Sequence, residues 1–157
     1  MILLKKKYHI IFVLLILGLY ACEKDDVCLE PTTPNLVVSF YDINTPETKK
    51  AVSDLTLIAL PGLDTIYKNV SKDSISIALN VNADTARFKL ISNTNTDIVQ
   101  FEYTREDIFV SKTCGYKTVF HNLQVIVETD ADNWIKNHEI INHEITSDNL
   151  AHVKILH

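Results

Sequence analysis

Three segments in the middle of the chain alternate apolar and polar residues with a period of two. Ile75, Ile77 and Leu79 face one way, with Ser74, Ser76 and Asn80 opposite. Ala86, Phe88 and Leu90 oppose Arg87 and Lys89, and Val99, Phe101 and Tyr103 oppose Gln100, Glu102 and Thr104. Successive side chains of a strand point to opposite faces, so this pattern marks strands with one buried face. The links between them, 80–84 and 92–96, are rich in Asn and Asp or Ser, residues that tolerate left-handed backbone.

The flanks extend the pattern. Strands are expected over 36–41 and 55–60, the latter closed by Pro61-Gly62 as a type II turn, because Gly accepts positive φ. Further strands are expected over 64–70, 107–112, 116–121 and 123–128. Trp134, His138, Ile141 and Ile145 are spaced like a helix face, yet Asn133, Asn137, Asn142 and the β-branched pair Ile140-Ile141 disfavour a helix. The expectation is a short helical turn at 132–136, then a hairpin of 138–146 and 151–156 around Ser147-Asp148-Asn149. A continuous helix there is the alternative. About nine short strands without a strong amphipathic helix indicate an all-β antiparallel sandwich, immunoglobulin-like or a related Greek key. Residues 36–157 are expected to form it as a single domain.

The N-terminal residues have a different logic. Lys5, Lys6 and Lys7 precede an apolar run from Ile10 to Leu19, and Leu19-Tyr20-Ala21-Cys22 follows. A positive patch, a short apolar stretch and a small residue before a cut site are the parts of a secretory signal, here 1–21. The run is too short for a helix crossing ~30 Å of hydrocarbon, which disfavours the alternative of an uncleaved anchor. Leu19, Ala21 and Cys22 resemble the lipobox of bacterial lipoproteins, although Tyr20 is bulkier than usual. The resemblance implies that Cys22 carries a diacylglycerol and usually an N-acyl chain such as palmitate, an attachment held stably by two or more chains. Residues 22–35 then form an acylated tether kept extended by Pro31 and Pro34. Within it, Lys24, Asp25 and Asp26 resemble the export signal that sends Bacteroidota lipoproteins to the outer face of the outer membrane. A plain solvated tether is the alternative.

Three cysteines are present, and lipidation would use Cys22. Cys28 and Cys114 remain, in an oxidising compartment, and an even remainder favours a bridge between them. A metal or catalytic role for Cys114 is the alternative, but no His or Cys stands at ligand spacing around it. The tether C-E-K-D-D-V-C-L-E-P-T-T-P, the central S-K-T-C-G-Y-K-T-V-F and the ending A-H-V-K-I-L-H together resemble an uncharacterised family of small Bacteroidota lipoproteins, classed as a domain of unknown function. In such proteins Cys28 and Cys114 occupy matching positions. The resemblance supports lipoprotein status and implies no particular activity.

Composition limits the chemistry. Three of the 15 Lys and Arg leave with the signal while all 20 Asp and Glu stay, which takes the formal charge from −5 to −8. So acidic a domain is poorly suited to nucleic acid, and no basic run follows Cys22 to grip anionic lipid. Gly62 and Gly115 are the two glycines beyond the signal, too few for a phosphate-cradling loop. His121, His138, His143, His152 and His157 show no metal-ligand spacing, and His152 and Lys154 are expected on the polar side of the last strand. Glu128, Asp130 and Asp132 form an acidic loop that lacks the positions of an EF-hand. There is no G-x-S-x-G elbow. No cofactor, metal or catalytic residue is therefore expected. The leading expectation is a non-enzymatic outer-membrane lipoprotein, displayed at the cell surface, that contacts another envelope protein or an extracellular ligand. The alternative is a carbohydrate- or calcium-binding domain or a cryptic hydrolase, and Tyr41, Tyr67, Phe109 and Tyr116 are the aromatics that would carry glycan binding.

Overall fold

The computed structural model describes Cys28 and residues 32–157. Nine strands follow in order: β1 (Leu36–Tyr41), β2 (Val52–Leu60), β3 (Thr65–Lys72), β4 (Ser74–Ile77), β5 (Thr85–Ser92), β6 (Asn95–Ser111), β7 (Gly115–Val127), β8 (Asn137–Ile140) and β9 (Val153–Leu156). No helix occurs among the described residues. The strands form a four-stranded sheet, β4-β1-β9-β8, and a five-stranded sheet, β3-β2-β5-β6-β7. The expected all-β sandwich is the fold of this chain. One pair departs from the antiparallel rule: β1 runs parallel to β9, with Val38 opposite Val153 and Tyr41 opposite Leu156.

By contacts the chain divides into two compact units, Met1–Glu30 with Val110–Gly115, and Pro31–Phe109 with Tyr116–His157. The larger unit holds the sandwich. Its alternating strands send Val38 and Phe40, Leu55 and Leu57, Ile75 and Ile77, Phe88 and Leu90, and Val99, Phe101 and Tyr103 into one core. Phe88 and Phe101 lie with centroids 5.9 Å apart, and Tyr103 meets Phe120 edge to face at 5.1 Å. Such pairs contribute about 0.5–1.5 kcal/mol beyond the area they bury. In the smaller unit the described residues are Cys28 and 110–115. There Cys28 and Cys114 are disulfide-bonded, Cα to Cα 5.0 Å.

Several local expectations are corrected. The two strands expected over 99–104 and 107–112 are parts of β6, whose charged middle is a strand exposed on both faces rather than a break. Those expected over 116–121 and 123–128 are both β7. Asn122, at φ 56, shifts the alternation there without ending the strand, as a bulge does. Pro61-Gly62 is not a type II turn: the positive φ falls on Leu63 instead of Gly62, and the Leu63 N–H donates to the Ala59 carbonyl. Residues 132–136 hold neither a helical turn nor a longer helix. The Asp97 carboxylate takes up the Trp134 and Ile135 N–H groups that a helix would have used.

The expected strand 138–146 is split between the sheets. Asn137–Ile140 pairs with β9, whereas Ile145 pairs with Phe120 of β7. Ile141 and Asn142 turn the corner, both donating to the His152 carbonyl. His152 and Lys154 are not on a polar surface either. They are 1% and 9% exposed, because β9 lies between β1 and β8 and is covered on both sides.

Candidate functional site

The longest exposed stretch of strand is the β6–β7 hairpin. β6 pairs with β5 from Asn95 to Glu102, and residues 103–111 run on past that pairing. With no neighbour from β5, Thr104 to Phe109 are all exposed. Within the larger unit Phe109 and Tyr116 meet edge to face on this hairpin, centroids 5.3 Å apart at 66°. They are 55% and 70% exposed, so the two rings pack on each other and leave most of their surface to solvent.

The other aromatics singled out by sequence are engaged elsewhere. Tyr41 lies under the Lys154 ammonium at 4.7 Å, and Lys154 also faces Glu47 at 3.6 Å and Glu139 at 3.9 Å. The Tyr67 hydroxyl donates to the Ser76 carbonyl across the sheets.

Charged groups flank the hairpin. His121 sits between Glu144, in a short contact, and Glu106 at 3.0 Å. The Glu144 hydrogen bond, opposed by some desolvation and aided by the charges of both glutamates, raises the His121 pKa above 6.5. Arg105 bonds Asp84 at 2.7 Å and the Val81 carbonyl at 2.7 Å. Thr118 donates to Asp107 at 2.7 Å. In the smaller unit, the Cys114 N–H donates to Ser111 Oγ at 3.0 Å, and Gly115 takes φ +72 at the end of the turn, where a side chain would be strained.

The acidic loop spends its carboxylates locally. Glu128 pairs with Arg87, and the Asp130 carboxylate accepts the Asp132 N–H at 2.8 Å. Beside it lies a polar cleft of ≈ 440 Å³ lined by Asp130, Asn133, Lys136 and His138 among others. Among the described residues no three His, Cys, Asp or Glu side chains gather where they could hold a metal ion.

Residues 54–157 match the model of a family of unknown function, DUF6452. The chain belongs to DUF6452. No curated protein and no solved structure matches the chain. The DUF6452 match takes in the hairpin, Cys114, Phe109 and Tyr116. It begins inside β2, so β1 and Cys28 lie ahead of it.

Of the site residues expected from sequence, the structure joins Cys28 to Cys114. Cys22, Lys24, Asp25 and Asp26 lie outside the described residues. Asp97 and His152 are buried polar residues that sequence reasoning did not find. Asp97 is fully buried and holds the β7–β8 connection. It was legible in principle, since stepping back by two from Val99, Phe101 and Tyr103 puts it on the inward face. His152 accepts the Val37 N–H on Nδ1 at 3.0 Å. No local pattern announces that, because it depends on β1 lying beside β9.

Proposed function

We propose that this DUF6452 member is an exported Bacteroidota lipoprotein, cleaved before Cys22 and anchored in the outer membrane by acyl chains on that residue. On this reading Lys24, Asp25 and Asp26 direct it to the cell surface. The sandwich is a non-enzymatic module that contacts another envelope protein or an extracellular ligand. The observation that carries the reading is the Cys28–Cys114 bond. Disulfides persist in oxidising compartments, so a bridge from the segment just after the cut site fits a chain that has left the cytoplasm. The signal-like charge and hydropathy pattern of 1–21 and the lipobox-like Leu19, Ala21 and Cys22 give the same direction.

Fractionation tests the anchor. Wild type is expected in membranes with an acylated N-terminal peptide, and Cys22→Ser in the soluble fraction or as an unprocessed precursor. Membrane-bound wild type whose Cys22 peptide lacks acyl mass overturns the reading. Protease added to intact cells tests display, and pull-down of the native lipoprotein identifies a partner. The exposure of Phe109 and Tyr116 is the one observation that bears on a second reading, glycan binding, which a polysaccharide array compared between wild type and Phe109→Ser/Tyr116→Ser distinguishes.

A further inference from the structure

The Phe109–Tyr116 pair invites a specific occupant. Two aromatic rings left mostly in solvent give the exposed hairpin an apolar feature among its charged residues Arg105, Glu106 and Asp107. Rings of this kind collect where an apolar medium meets water, and Tyr does so with its hydroxyl toward the wet side.

The covalent path says which surface lies near. From Cys22 to Cys28 the chain spans about 20 Å at most, because an extended residue covers about 3.3–3.6 Å. The disulfide adds 5.0 Å between Cα atoms. Tyr116 follows Cys114 by two residues. Tyr116 is therefore tied within roughly 32 Å of Cys22 whatever the tether does. Without the bond, the route from Cys22 to β1 alone would span about 50 Å and leave the hairpin unconstrained.

We propose that Phe109 and Tyr116 rest in the headgroup region of the bilayer that holds the Cys22 lipid, so that the lipoprotein docks by its hairpin as well as by its acyl chains. This inference rests on the anchor reading above. A phospholipid interface fits better than a sugar, because rings inclined at 66° form an edge and offer no flat shared platform for a pyranose. It also needs no basic patch, since the acyl chains supply the affinity and the rings need only fix orientation.

Short-range quenching tests it. The lipoprotein is reconstituted in phosphatidylethanolamine–phosphatidylglycerol vesicles whose acyl chains carry bromine close to the headgroups. Trp134 is buried and supplies a constant background. Phe109→Trp is expected to gain a blue-shifted emission that the brominated lipid quenches. Ile66→Trp, on the exposed edge strand β3, is expected to show no quenching. Equal quenching at the two positions, in protein whose N-terminal peptide carries the acyl mass, overturns this inference and leaves the anchor standing. A peptide without acyl mass overturns the anchor and this inference with it. If soluble polysaccharide shifts the Phe109→Trp emission and vesicles do not, the pair is a sugar site and the inference fails.

Discussion

Asp97 and His152 are the buried acid and the buried histidine of the described residues, and each is placed by hydrogen bonds to main chain. Asp97 accepts from Trp134 at 3.3 Å and from Ile135 at 2.7 Å. Burial raises its pKa, and those two donors oppose the rise. Asp97→Ala strands both N–H groups in the core, at about 1–3 kcal/mol for each unsatisfied group. Chemical denaturation is expected to show a loss of about 3 kcal/mol, with Asp97→Asn losing less because it keeps one acceptor oxygen.

His152 sets a pH dependence. Burial pushes its pKa below 6.5, and the Nδ1 lone pair is already taken by Val37. The unfolded chain binds a proton near 6.5 and the folded one does not, so this contribution is complete above that pH and is lost as the pH falls toward the depressed value. His157, also lowered by burial, has the same sign. His121, raised chiefly by Glu144, has the opposite one: its contribution is complete below 6.5 and is lost as the pH rises through its folded pKa. Melting temperatures at about pH 7.5 and about pH 5.5 are expected to fall toward acid less steeply in His152→Gln, and more steeply in His121→Gln, than in wild type.

Among the elements, β1 holds the smaller sheet together. It pairs antiparallel with β4 and parallel with β9, and buries Leu36, Val38 and Phe40. A chain starting at Asp54, the first residue of the family match, would lack β1 and leave β4 and β9 without their shared neighbour. Such a fragment is expected to show no cooperative thermal transition by circular dichroism, while 32–157 does. The strands that sequence revealed best are β4, β5 and the first half of β6, where side chains alternate against a single buried face. The hairpin Ser92-Asn93-Thr94-Asn95 was equally plain, and Asn93 does take φ 54. What escaped notice depends on distant partners: the continuation of β6 through Arg105 and Glu106, the sheet switch at Ile141, and the burial of His152. Of the candidate site, the Cys28–Cys114 bond followed from counting cysteines. The pairing of Phe109 with Tyr116 needed the hairpin itself.

At the level of the whole molecule, the Cys28–Cys114 bond closes a loop with a sequence separation of 86, which encloses the six strands β1 to β6 and the turns between them. In the chain-entropy account such closure stabilises by on the order of 4 kcal/mol. Reductant is expected to lower the melting temperature of wild type to that of Cys28→Ser/Cys114→Ser, and to leave the double variant unchanged. The parallel contact of β1 with β9 bears on the order of assembly. β1 is the first of the nine strands along the chain and β9 the last, and they lie side by side in the middle of the smaller sheet. That sheet therefore closes only when both ends of the domain are present, so its completion depends on the whole length of the sandwich.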